Sequence, residues 1–587
     1  MTRSWIAENA AMVPRGAVLA VARQCPSSRG SLPPLLRRLK NVPPSADRSL
    51  LCPLPSPSRG SMVLGVVGGK RHSRPCPAKF SSRVNPSFTT TYPPPFFSSQ
   101  VLGVVASSSI FATPGVHGAG SGGGQRHIRH ARRPPYCHLL LVVDSRGAPI
   151  SALIVWLCAG IVAYSCCEVY AELGSSIPHA GGDGEYIQLA FGDLLSFVFM
   201  WMFFFVSTGG GIAILIVTFA RYTIALLPGM QGASEEQMEM GVRIIGCSFT
   251  LLLTAINCAG VKAGALVQNI LTVTKALLIA AVVACAPIFI SLHGTSVAVT
   301  NFSQPLPPLS GYNWSRAGAG LVAAVWAFDG WNCLGYLSEE LKNPKKDLPR
   351  SLSIGMLTAV GICLAVNSAY FCILPLAAVG KSEVVAVEAV EAVFGPHSGR
   401  FIAFLVALNV LGAANATLLC HARFFYAKAR DGQLFSFLSA VTTGGAPYAS
   451  LLATGGWIAV VVFVAANHLE KLIDYFGIAA WMFYGLVGAS LIKLRWDLPD
   501  LPRPYKASLY PLPGVIVVVV STYLVISSLV TQLVPSLLSL AFVFTALPVY
   551  FAIHCMKSAP CCANSCAKTP TTINIVPESD VRRPLLS

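Results

Sequence analysis

Long apolar runs broken by short polar links dominate the sequence beyond residue 148. Ala148–Cys167 and Leu194–Ala220 contain no charged residue. Similar runs follow at Ile244–Val261, near 268–292, near 317–337, at Ser351–Gly380 and Phe401–Ala422, near 449–467 and at Tyr475–Ile492. A helix needs about 20 mostly apolar residues to cross about 30 Å of hydrocarbon, and each run meets that length. Ala507–Met556 is twice as long, and Pro535 near its middle predicts two crossings joined by a tight turn. The pattern therefore predicts eleven spans from residue 148 onward. A first span is expected earlier, where Val101–Val116 is apolar but short.

Composition sharpens this picture. Charged residues make up 11% of the 587 and hydrophobic residues 54%, against about 25% charged in soluble domains. That excludes a cytosolic enzyme, a disordered chain and a disulfide-stapled secreted domain. The net charge of +17 is local. Residues 1–135 hold 18 Lys/Arg against Glu8 and Asp47, a net of +16, and the remainder is nearly neutral. The basic segment 1–100 is rich in Pro, Ser and Arg and lacks periodicity, so it is expected to be disordered or mis-spliced. Its scattered Arg residues carry no recognition fold, and no nucleic-acid partner is expected.

Codons for Gly68-Gly69-Lys70 can carry a GTAAG splice donor, and those for Pro93–Gln100 a pyrimidine tract ending in CAG. Residues 69–100 are therefore readable as translated intron. Their removal fuses the short apolar piece Met62–Gly68 to the run after Gln100. Residues 117–147 read as a second inserted loop, and 554–587 as a cytoplasmic tail. Cys555, Cys561, Cys562 and Cys566 follow the last run and fit palmitoylation. The cysteines within the runs behave as small hydrophobes.

With both termini in the cytoplasm, the inner loops collect 12 Lys/Arg and the outer side six, as the positive-inside bias requires. Two glycosylation sequons, at Asn301 and Asn313, then fall together in an outer loop.

Few residues offer chemistry. Asp329 lies in the apolar stretch Trp326-Ala327-Phe328-Asp329-Gly330-Trp331, where a charge costs at least about 2.5 kcal/mol to insert. With Gly330 beside it, this is the composition of a broken helix that offers backbone groups to a substrate. The alternative is a surface carboxylate paired with a helix end. Lys275 sits in a span that contains no acid; it either meets a partner at depth or snorkels to the surface. In Ser107-Ser108-Ser109-Ile110-Phe111, three Ser compete with helical bonding, and Pro114-Gly115 follows. A discontinuous first span there could aim free N–H groups at a carboxylate, or the stretch is an ordinary span end. Gly181-Gly182-Asp183-Gly184-Glu185-Tyr186 reads as a turn and a helix start. His421, near Arg423, reads as a cytoplasmic span end rather than a catalytic base. No nucleotide, zinc or nucleophile motif appears, and no metal or cofactor is implied.

At these residues the chain resembles the L-type amino acid transporters of the amino acid–polyamine–organocation superfamily. The resemblance rests on Tyr170-Ala171-Glu172-Leu173-Gly174 with Ile177-Pro178 and Gly181–Tyr186. It rests equally on Trp326–Asn332 continued by Ser338-Glu339-Glu340-Leu341-Lys342-Asn343-Pro344. It implies an all-α membrane protein of twelve transmembrane helices over 101–553, a five-plus-five inverted repeat with two extra C-terminal helices. Substrate would bind at the breaks in spans one and six. Ser107 to Phe111 would hold its carboxylate and amine, and Trp326 would gate it. Ala327, Phe328 and Asp329 would border the side-chain pocket, and Asn332 would support the break. Lys275 would fill the sodium position of related symporters, implying sodium-independent uptake of neutral or cationic L-amino acids by alternating access, at the plasma membrane. Both family glycines of the first break are Ser here, at Ser107 and Ser109. The loop Pro228–Gly241 lacks the cysteine that joins animal members to a heavy chain, so no disulfide-linked heavy chain is expected. Two other readings stay open: a sensor of the same fold that does not transport, and an inactive product with a damaged first helix.

Overall fold

The computed structural model describes residues 149–558, apart from 231–232, 306–320, 322–323, 326, 381, 383–384, 467–468 and 532. All regular elements among the described residues are helices, with no strand. Ten helices are long and apolar enough to cross a membrane. Ser107–Phe111, Trp326, Asn313, the stretches 69–100 and 117–147, and the C-terminal cysteine side chains lie outside the described residues.

The first helices are α1 (Pro149–Ser176) and α2 (Gly182–Phe191). A long span follows: α3 (Asp193–Met202), a π-helical segment (Phe203–Gly211) and α4 (Ile212–Leu226). Next come α5 (Glu235–Ala259), α6 (Val261–His293) and short α7 (Ser296–Phe302). The chain then breaks around 327–332 and resumes as α8 (Cys333–Tyr336) and a 3-10 turn. Beyond it lie α9 (Pro344–Ile373), α10 (Leu376–Val379), α11 (Val385–Phe394) and α12 (Ser398–Arg430). The last elements are α13 (Tyr448–Ala465), α14 (Leu469–Asp497), α15 (Leu512–Thr531), α16 (Leu533–Phe544) and α17 (Ala546–Ser558).

The expected runs become helices, with two differences of extent. Alpha5 starts at Glu235 rather than near Ile244, because Ser234 and Gln237 form a reciprocal capping box. Hydropathy registers only the part of a helix that crosses lipid, not its polar overhang. Pro535 does not sit between the last two spans as expected. Alpha15 ends at Thr531 and α16 starts at Leu533, so Pro535 falls in the first turn of α16, where a missing N–H costs nothing.

Close helix contacts use small residues. A Cβ at Gly160 would come within 2.7 Å of Val360, so glycine brings α1 onto α9. Gly455 does the same for α13 against Thr254 of α5. Such packing suits a solvent in which apolar burial does not drive helix association. The outer faces are apolar: Leu266, Ile270, Val273 and Leu277, spaced as one stripe of α6, are each 57–65% exposed. A stripe of this kind faces lipid.

Asn301 does not point outward. It is 3% exposed, and its amide nitrogen donates to the Phe371 and Leu374 carbonyls at 2.7 and 2.9 Å. Its oxygen accepts from the Leu376 N–H at 3.2 Å. The side chain ties α7 to the corner between α9 and α10. Both amide hydrogens are occupied in the fold, so the side chain is not the exposed outer-loop amide that the sequon suggested.

Candidate functional site: a cavity at the broken helix

The break that Asp329-Gly330 predicts is present. Residues 324–325 are helical, 329–330 are not, and α8 starts at Cys333. Gly330 has φ of +128°, a conformation that side-chain-bearing residues rarely adopt. The break opens onto a cavity that leaves about 80 Å³ for the centres of water-sized spheres. That is several times the roughly 10–15 Å³ one water requires.

Five parts of the fold supply most of its lining. Asp183 comes from the first turn of α2, and Asp329, Gly330, Asn332 and Cys333 come from the break. The π segment supplies Phe203 and Ser207, with Phe199 and Met202 just before it. Alpha12 contributes Thr417 and His421, and α14 contributes Phe483 and Tyr484. Most of the wall is apolar, with a few polar groups converging on it, as small-molecule sites require.

The two acids are each held by a tyrosine. Tyr484 donates its hydroxyl to Asp329 Oδ1 at 2.6 Å. Tyr336 donates to Asp183 Oδ2 at 2.9 Å, and Asn332 Nδ2 donates to the Tyr336 oxygen at 3.2 Å. One continuous set of contacts thus joins Asp183 to the break.

Of the residues expected at the break, Asp329 and Asn332 line the cavity. Ala327 and Phe328 do not. Phe328 is fully buried and packs edge-on against Trp156 of α1, with ring centroids 6.0 Å apart. The geometric reason is the turn at 327–328, which sends the phenyl ring back toward α1. Lys275 is buried at depth on α6, away from the cavity lining, and does not snorkel.

His421 is placed differently from its expectation as a span end. Alpha12 continues to Arg430, so His421 lies more than two turns inside the helix. It is 5% exposed, lines the cavity and meets the Thr208 hydroxyl at 2.9 Å. The π segment that carries Thr208 was not foreseen either. Its signal is Ser207-Thr208-Gly209-Gly210-Gly211, weak helix formers at mid-span, and π-helical turns gather at functional sites.

A second polar group of residues sits at one end of the bundle. Arg430 Nη1 and Nη2 bind both oxygens of Glu339 at 2.7 and 2.6 Å. The Ala180 N–H also donates to Glu339. Lys428, with no exposed side-chain surface, reaches Glu185 at 2.5 Å. A Cβ at Gly184 would lie 2.7 Å from Lys428 Cε, so glycine makes room for the lysine. His179 lies 3.3 Å from Asp431, 3.7 Å from Glu339 and 3.7 Å from Glu185. Burial opposes its protonation, but the hydrogen bond to Asp431 and the three nearby carboxylates outweigh this and raise its pKa. Glu339 resists burial through Arg430 and His179, which hold its pKa down to about 2. Three carboxylates, Glu185, Glu339 and Asp431, thus face Lys428, Arg430 and His179, whose raised pKa favours its charged form. His179, Glu185 and Asp431 have the composition of a metal site, but Lys428 and Arg430 already occupy their carboxylate and imidazole surroundings.

A neighbouring knot ties α1 to α14. Glu172 binds Arg495 twice, at 2.8 and 2.5 Å, and accepts from the Ala507 N–H at 2.7 Å. Glu168 accepts from Tyr505 and from the Ser508 N–H, each at 2.7 Å.

A bundle of spanning helices with a broken helix opening onto a polar-tipped cavity defines a multi-pass membrane carrier. The chain belongs to the amino acid permease family, whose model matches residues 100–553, and within it to the L-type amino acid transporters. It is 32% identical over 444 residues to the large neutral amino acids transporter small subunit 2 of Mus musculus, covering 74% of this chain and 80% of that protein. The human protein of the same name is 32% identical over 421 residues, covering 70% and 75%. The b(0,+)-type amino acid transporter 1 of Mus musculus is 30% identical over 412 residues, covering 68% and 80%. Family and relatives are transporters, not enzymes, and the chain is an amino acid transporter.

Proposed function

We propose that the protein carries neutral and cationic L-amino acids by alternating access, independently of sodium, with the Asp329 break as its substrate site. The single observation behind this reading is the Asp329 carboxylate, which borders a cavity at a helix break and has no cationic side chain among the described lining residues. An acid so placed favours a positively charged substrate group. Names of relatives that include a large neutral amino acids transporter and a b(0,+)-type transporter are consistent with both substrate classes. Ser107 to Phe111 and Trp326 are assigned to substrate binding as well, on the family motif alone, and buried Lys275 to the place of a sodium ion. The charge cluster around Arg430 and Glu339 acts as the closed inner gate.

Twelve crossings fit this reading. The end of α1 contacts the end of α14 through Glu172 and Arg495. Seven apolar helices follow α1 up to Arg495. An odd number of crossings would leave the two residues on opposite faces, so we count the broken helix at Asp329 as the eighth. Helices five crossings apart pack together: α1 on α9, α4 on α12 and α5 on α13, as an inverted five-plus-five repeat requires. With the positive-inside bias, both termini are assigned to the cytoplasm. We further assign the protein to the plasma membrane, without a disulfide-linked heavy chain, because residues 228–241 contain no cysteine.

Uptake of labelled arginine and leucine into proteoliposomes tests the reading. Asp329→Asn should lower arginine uptake selectively, and sodium replacement should change neither substrate. Equal loss of both substrates removes the charge-pairing role, and leucine binding without flux replaces the carrier by a sensor.

A further inference from the structure

Asp183 is the second carboxylate of the cavity. It is 1% exposed and lines the cavity from the first turn of α2. Its Oδ2 accepts the Tyr336 hydroxyl, while Oδ1 is buried and has no close hydrogen bond among the described residues, the Tyr170 hydroxyl being its nearby neutral group. A carboxylate oxygen without a donor costs at least about 1–3 kcal/mol. The same helix shows how this chain treats acids it intends to neutralise: two residues on, Glu185 is paired with Lys428. Asp183 receives no such cation. The only basic side chain among the described lining residues is His421, and its Nδ1 faces Thr208.

Position gives the free oxygen a meaning. Asp329 lies at the break itself, whereas Asp183 lines the cavity from α2 and is tied to the far side of the break through Tyr336 and Asn332. It also lies within four residues of His179, in the inner charge cluster. The cavity therefore has one acid at the break and another at its inner end. Two acids in an apolar-walled space attract cations strongly.

We propose that Asp183 is a second cation-binding position, which the longest cationic side chains reach past Asp329. Its ligand class is the distal ammonium or guanidinium of a dibasic amino acid. A guanidinium, with five donors in a planar fork, is suited to the free Oδ1. Shorter cationic side chains stop at Asp329. The inference rests on the break being the substrate site, and it adds a length-dependent selectivity that Asp329 alone does not provide.

A side-chain series tests it in the full-length protein in proteoliposomes: 2,3-diaminopropionate, ornithine, lysine, arginine and homoarginine, with leucine as the neutral reference. In the wild type, inhibition of leucine uptake should strengthen along the series; a flat or falling trend overturns the proposal without any variant. Asp183→Asn should weaken arginine and homoarginine by about tenfold, the size of one lost charge-assisted contact, and spare diaminopropionate and leucine. Tyr336→Phe keeps the carboxylate and should leave the arginine-to-leucine ratio within about twofold. If Asp183→Asn and Tyr336→Phe instead lower every substrate alike, Asp183 only anchors Tyr336 and the proposal fails. Asp329→Asn separates the two claims: it should weaken the whole cationic series. If it changes nothing while Asp183→Asn still removes the long side chains, charge pairing at Asp329 falls and the second position stands.

Discussion

The cavity and the inner cluster hold the same kinds of residue and treat them in opposite ways. In the cluster every carboxylate meets a cation: Glu185 with Lys428, Glu339 with Arg430, and Glu340 with Arg423 at 2.7 Å. In the cavity, Asp183 and Asp329 accept from tyrosine hydroxyls and face no cation among the described residues, and Oδ1 of Asp183 has no close hydrogen bond among them. Compensated charge holds elements together. Uncompensated charge, kept at a cost in stability, is what a ligand site looks like before its ligand arrives.

The contrast breaks first at Lys428. Glu185→Gln leaves a buried ammonium without its carboxylate and should destabilise the protein by about 3–5 kcal/mol. The double variant Glu185→Gln/Lys428→Met should recover much of that loss in a thermal unfolding series of the purified protein. If the single variant is neutral, the pair is no latch. Next comes Asn301→Ala, which removes three hydrogen bonds and leaves the Phe371 and Leu374 carbonyls without their donor. We expect a loss of about 1–3 kcal/mol. Glycosidase treatment of the wild type should produce no mass shift that maps to Asn301.

The pH response sharpens the same comparison. His179 has a folded pKa raised above the usual 6.5. Its contribution is therefore complete below about pH 6.5 and is lost as pH rises through the raised value. Glu339, held down to about 2 from 4.5, contributes above pH 4.5 and loses its contribution as pH falls through about 2. Unfolding temperatures measured from pH 5 to 9 should fall on the alkaline side, and His179→Gln should flatten that fall. The smallest effect is expected at Lys493–Asp497, an exposed pair one helical turn apart, where removal of either partner should cost no more than about 0.5 kcal/mol.

The spans were legible because lipid imposes one simple rule, a run of apolar residues of fixed minimum length. The break at Asp329-Gly330 was legible for the converse reason, since a charge and a glycine at membrane depth violate that rule locally. What stayed hidden depends on residues far apart in sequence. Asp183 and Tyr336 are 153 positions apart, and Glu185 and Lys428 are 243. Nothing local distinguishes Asp183, which bonds Tyr336 in the cavity, from Glu185, which is paired in the cluster. His421 was misplaced because hydropathy ends the span near Ala422, while the helix itself runs to Arg430. The ring of Phe328 turned away for a similar reason: sequence marks where a helix breaks but not which way the chain leaves the break.

Equilibrium binding of labelled arginine to the purified protein separates cavity from cluster most directly, with Asp329→Asn compared against Glu339→Gln. Asp329→Asn is expected to lose arginine while retaining leucine, and Glu339→Gln to retain both. Arginine binding that survives Asp329→Asn but disappears in Glu339→Gln would place the substrate in the charge cluster and contradict this expectation.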